Sequence, residues 1–241
     1  MSTISERLAH VRETIAHAAA KTGRDLNEIE LVAVSKTHPP ESIHEALDAD
    51  QVLFGESRVQ EARVKIPLLP ARARWHFIGH LQKNKIRHAL ALGFELFHGV
   101  DSLALARDMD RIAEDEGQRP RILLEINLAG EGSKFGFKPD ALRAETEALL
   151  VLNRVQIEGL MCIPPLAREA ETSRPFFAQL RKLRDELQRD FHIALPHLSM
   201  GMSSDFAIAV EEGATLVRVG TAIFGARSGK AARAAAIGLD D

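Results

Sequence analysis

A lysine at position 36 directly follows the run Leu31-Val32-Ala33-Val34-Ser35. An amine at the end of a buried strand is partly desolvated, which lowers its pKa and frees its lone pair to attack a carbonyl, the chemistry of a Schiff base. Position alone fits equally a strand-end lysine that reaches for water. Lys134, in the loop Gly130-Glu131-Gly132-Ser133-Lys134, is a second amine in a more exposed setting. Arg218 lies inside Leu216-Val217-Arg218-Val219, where a guanidinium needs an acceptor or an anion facing it. Glu125 and Glu158 are internal candidates for that partner, and a ligand is the alternative. Gly220-Thr221 follows, a turn opening a short helix whose N–H groups suit a phosphate. Ser199 and Gly201 are expected to complete that cradle. Together these residues outline a ligand with a carbonyl and a phosphate.

Other candidates read more plainly. His76 and His80 are four apart, but no cysteine or carboxylate cluster at ligand spacing joins them, so no metal site is expected. His76 is read as a packed strand residue, Asp101 as a helix cap, Glu56 as a surface carboxylate and Cys162 as a small buried hydrophobe. Lys83, Lys85, Arg87 and His88 fit one solvated helix face. Tyrosine is absent, which removes the phenol as an acid or base.

The elements that must hold these groups follow a repeated grammar of short apolar run, small or polar punctuation, and helical stretch. Runs at 31–34, 51–54, 75–78, 96–100, 122–126, 156–161, 196–199 and 216–219 predict eight strands. Helices are expected at 40–49, 57–65, 82–92, 102–116, 139–151, 172–191 and 205–212, with a short one after Gly220. Ile4, Leu8, Val11 and Ile15 make one stripe on a leading helix within residues 1–22. Strand–helix alternation implies parallel pairing, and eight units in 241 residues match a closed (β/α)₈ TIM barrel, an α/β fold, with its chemistry at the carboxyl ends of the strands. The first strand ends Ser35-Lys36-Thr37-His38-Pro39 without a glycine-rich turn, against a dinucleotide-binding sheet. We read residues 1–241 as a single domain with a tail at 228–241.

Composition narrows the setting. Lys plus Arg number 31 and Asp plus Glu 34, a net charge of −3, and neither sign forms a block, which disfavours nucleic acid. No apolar run approaches the ~20 residues of a membrane span. One cysteine and a polar beginning point to a reducing cytoplasm.

The segments Leu31 to Thr37, Phe54-Gly55-Glu56, Trp75 to Gln82, Leu198 to Ser203 and Val217 to Gly225 closely resemble the pyridoxal phosphate homeostasis proteins, relatives of the barrel domain of alanine racemase. The likeness runs from about residue 31 to Arg227. It implies pyridoxal 5′-phosphate on Lys36 as a Schiff base, the phosphate on Ser199, Gly220 and Thr221, and Arg218 facing the pyridine nitrogen. A guanidinium there opposes protonation of the ring and weakens it as an electron sink. Where the family commonly has Phe-Gly-Glu-Asn, this chain has Ser57. The implied role is sequestration and delivery of the cofactor to apo-enzymes by a monomer. The rivals are an amino-acid racemase, whose second acid/base group in the two-domain enzymes is a tyrosine, and a Schiff-base aldolase.

Overall fold

The computed structural model describes residues 2–130 and 135–226, so Lys134, Arg227 and the tail at 228–241 lie outside the described residues. Eight parallel strands close into one barrel in sequence order: β1 (Glu30–Val34), β2 (Leu53–Glu56), β3 (Arg74–Phe77), β4 (Leu96–Val100), β5 (Arg121–Glu125), β6 (Gln156–Met161), β7 (His197–Ser199) and β8 (Leu216–Val219). Pairing of β1 with β8, Val32 opposite Arg218 and Ala33 opposite Val219, completes the closure. The helices are α1 (Ile4–Lys21), α2 (Pro40–Asp48), α3 (Val59–Lys65), α4 (Ile86–Leu90), α5 (Leu103–Asp115), α6 (Pro139–Leu150), α7 (Arg174–Phe191), α8 (Phe206–Glu211) and α9 (Thr221–Phe224).

Each strand alternates between two cores because successive side chains point to opposite faces. Val32, Leu53, Leu96, Leu123, Met161 and Leu216 form an interior cluster, while Ala33, Phe54, Phe77, Phe97 and Leu160 join the larger layer under the helices. Below the interior cluster, charged residues close the amino-terminal end. Arg74 bonds Glu95 at 2.8 Å and Glu30 at 3.2 Å, and Arg121 bonds Glu158 at 2.7 Å. Chemistry is therefore left to the opposite end. The leading helix α1, started by a Thr3/Glu6 capping box, buries Ile4, Leu8, Val11 and Ile15 as its stripe predicts.

Most element boundaries shift by one or two residues from expectation, and two of the differences bear on the local structure. Strand β2 starts at Leu53 rather than 51, because the Gln51 amide donates to the carbonyls of Leu31 and Leu53 at 2.8 and 2.7 Å and caps the sheet instead. The helix expected over 82–92 is a 3₁₀ turn at Lys83–Lys85 followed by the short α4. Among the described residues no helix is long and apolar enough to cross a membrane.

Candidate functional site at the barrel mouth

The closure of β1 on β8 brings four of the expected residues together. Lys36, half-buried, sits in the turn Ser35–His38, where the His38 N–H donates to the Ser35 carbonyl at 3.1 Å. Thr37 has φ 66°, a left-handed conformation that costs a β-branched residue about 1–3 kcal/mol and persists only where neighbours hold it. Glu61 does so, accepting the Thr37 N–H at 2.6 Å. The His38 ring stacks on Phe224 of α9 with centroids 5.1 Å apart, and Gly220 lies against Val34. Lys36, Arg218, Gly220 and Thr221 thus share one side of the mouth.

The turn before α9 gathers donors onto one oxygen. Ser203 Oγ accepts the N–H groups of Gly220 and Ala222, each at 3.2 Å. Its loop is fixed from both ends. Asp205, buried, accepts the Met202 N–H at 2.7 Å and the Ser173 hydroxyl at 2.8 Å. Gly201 takes φ 89° and packs so tightly on α8 that a Cβ would fall 2.5 Å from that of Ala209. Its carbonyl accepts the Arg218 N–H at 3.0 Å.

Ser199 is not at this turn. Being a strand residue of inward parity, it turns its hydroxyl into the barrel, where Oγ accepts from Arg218 and lies 2.8 Å from His98 Nδ1. The hydroxyl at α9 belongs to Ser203, four residues on. The other amine of the Arg218 guanidinium donates to the Cys162 carbonyl at 3.1 Å. Neither carboxylate considered as its partner holds it: Glu158 is engaged with Arg121 at the floor, and Glu125 acts on Arg218 through its charge. Burial lowers the Arg218 pKa from its usual range.

Behind Ser199 the polar chain continues. His98 Nε2 lies 3.0 Å from His76 Nδ1, deep in the interior. Burial holds both rings neutral, with His76 pushed down to about 3 and His98 well below the usual value. Since Arg218 donates to Ser199, the hydroxyl proton is free to go to His98 and the His98 Nε2–H to His76, a polarised chain ending under the guanidinium.

Across the mouth, His80 Nδ1 pairs with Asp101 at 2.9 Å, and the His80 ring stacks on Phe135 with centroids 3.8 Å apart. Asp101 is therefore not the helix cap; Ser102 is, accepting the Leu105 N–H at 3.2 Å and donating to Asp101 at 3.1 Å. Glu125 ends β5 nearby. Burial first, then the charge of Asp101, raise its carboxyl to about 7 against the pull of Arg218. The Ser57 carbonyl lies where a Gly79 Cβ would come within 2.2 Å of it, so this close crossing needs glycine. The basic group spread over the 3₁₀ turn and α4 is partly neutralised by α5, with Lys83 on Asp108 at 2.9 Å and Arg87 on Asp115 at 3.4 Å.

Glu56 is not a surface carboxylate. It is fully buried on the helix-facing side of β2, where Oε1 accepts the Lys65 ammonium at 2.7 Å and the Ser35 hydroxyl at 2.7 Å. Burial raises its pKa and Lys65 opposes the rise. Cys162 is buried as expected, its thiol pushed up to about 12 by desolvation. Sequence reasoning did not single out His98, Ser203, Lys65 or Asp205.

The alanine racemase N-terminal domain family matches residues 7–228. A pyridoxal phosphate homeostasis protein of Aquifex aeolicus is 44% identical over 223 residues, covering 92% of this chain and 97% of that one. The chain belongs to this family. A second member, from Pseudomonas aeruginosa, is 43% identical over 234 residues, covering 94% of this chain and 97% of its own. PipY of Synechococcus elongatus, solved without and with PLP bound, is 44% identical, covers 92% of this chain and 100% of its own, and superposes with TM-scores of 0.83 and 0.81.

Proposed function

We propose that this chain holds pyridoxal 5′-phosphate on Lys36 as a Schiff base and serves intracellular cofactor homeostasis, sequestering the aldehyde and delivering it to apo-enzymes in the cytoplasm. One observation carries the reading: β1–β8 closure sets the Lys36 turn beside the α9 turn, where two N–H groups already converge on one oxygen, that of Ser203. A phosphate oxygen needs the same donors. The relative solved with PLP bound supports it.

When bound, the cofactor would supply an aldehyde as the electrophile, and Lys36 would be the residue that holds it. The remaining work falls to the protein. Lys36 presents the amine from a turn rather than from a flexible loop. Gly220, Thr221 and Ser203 grip the phosphate, with Gly201 shaping the loop that carries Ser203. Ser199 in this reading orients Arg218 instead of binding phosphate. Arg218, a permanent cation backed by a neutral His98–His76 chain, opposes protonation of a ring nitrogen facing it, which suits storage better than carbanion chemistry.

The test is optical. Cofactor-saturated protein is expected to absorb near ~420 nm, and to lose that band on borohydride reduction and in Lys36→Ala. Persistence of the band in Lys36→Ala overturns the reading.

One observation favours a racemase as the second reading: the His80–Asp101 pair is an acid/base couple at the mouth. Incubating the loaded protein with L-alanine and assaying D-alanine separates the two. Turnover of ~1 s⁻¹ or more would favour the racemase over the carrier.

A further inference from the structure

Lys65, the last residue of α3, is 5% exposed although it carries an ammonium. Its three protons have three acceptors. Nζ lies 3.0 Å from the Ser35 carbonyl, 2.7 Å from Glu56 Oε1 and 2.7 Å from Glu61 Oε1. The same two carboxylates reach back to β1: Glu56 accepts the Ser35 hydroxyl at 2.7 Å, and Glu61 accepts the Thr37 N–H at 2.6 Å. The ammonium therefore ties down the residue before Lys36 directly and the residue after it through Glu61. Thr37, held in the left-handed region, is the point where the backbone would otherwise relax. None of these contacts lies among the groups offered to the ligand. They sit on the outer face of β1 and β2, under α3.

We infer that Lys65 is a positioning residue for Lys36: by pinning the peptide units on both sides of it from behind the sheet, Lys65 fixes where the Lys36 amine stands at the mouth. A buried charge with every proton satisfied is rigid, because any movement strands an ion in a dry layer. Alternation does the rest. At the strand end the Ser35 side chain is held on the outer side by Glu56, so the next side chain, that of Lys36, sets out from the inner side. The inference rests on the reading that Lys36 captures the cofactor aldehyde, and the experiment separates the two.

Two ligands distinguish placement of the amine from integrity of the pocket. Pyridoxal 5′-phosphate reports imine formation through its absorbance. Pyridoxine 5′-phosphate has an alcohol in place of the aldehyde and reports non-covalent binding alone. In Lys65→Met, the rate of imine formation by cofactor-free protein is expected to fall by about tenfold or more, while the Kd of pyridoxine 5′-phosphate stays within about twofold of wild type. Glu61→Ala, at a half-exposed position, releases Thr37 without emptying the buried site, and is expected to show the same split more weakly. It carries the test if Lys65→Met does not fold. Unchanged imine-formation rates in the folded variants, or equal losses with both ligands, overturn the inference. Absence of any imine signal in wild-type protein instead overturns the reading of Lys36 on which it rests.

Discussion

Glu125 should make this protein less stable as pH rises through the neutral range, and removing its charge should abolish that loss. Its carboxyl is raised from 4.5 to about 7 by burial and by Asp101. In the unfolded chain the group ionises near 4.5, so between about pH 4.5 and 7 the unfolded state has released a proton that the folded state still holds. Stability then falls by about 1.4 kcal/mol per pH unit across that window, about 3 kcal/mol in all, and the penalty is fully present above pH 7. Glu125→Gln keeps the shape and cannot ionise. Urea unfolding of cofactor-free wild type and variant from about pH 5 to about pH 8 should show the variant gaining on the wild type through the window, most steeply near pH 6, and levelling off above pH 7. Asp101→Asn should shrink the effect, since it removes the second cause of the raised pKa. A stability difference that does not change with pH would refute the reasoning, as would one that changes in the opposite direction.

Three further outcomes follow from particular contacts. Gly201→Ala forces a Cβ into α8 and a left-handed φ on alanine, and should cost about 1–3 kcal/mol in urea unfolding. Ser203→Ala should weaken pyridoxine 5′-phosphate by about tenfold while leaving the weaker binding of unphosphorylated pyridoxine unchanged, as read by calorimetric titration. Cys162, buried with its thiol pushed up to about 12, should resist thiol reagents at about pH 8 in the native protein and react promptly once the protein is unfolded in urea.

The barrel was legible because each strand is a short apolar run between turn residues, and eight such runs appear in order. Lys36, Arg218, Gly220 and Thr221 were legible for the same reason, since residues at and just beyond the ends of neighbouring strands must meet at the mouth. What escaped was parity and long-range pairing. Ser199 and Ser203 both follow Leu198 closely, and only the left-handed turn at Gly201 decides which hydroxyl enters the barrel and which reaches α9. His98 was hidden in an apolar run; its signal was present, because His76 and His98 occupy inward positions on adjacent strands. Glu56 read as a surface group because its buried partner, Lys65, is supplied by the helix folding back over the strand. Asp101 carried a capping signal that its neighbour Ser102 fulfils.

The cofactor is expected on one nitrogen, that of Lys36. Borohydride reduction of the cofactor-saturated protein followed by peptide mass spectrometry tests it directly. A pyridoxyl adduct on the peptide containing Lys36, in near-stoichiometric yield, is the expected result. An adduct confined to Lys134, or scattered over surface lysines with Lys36 unmodified, would contradict it.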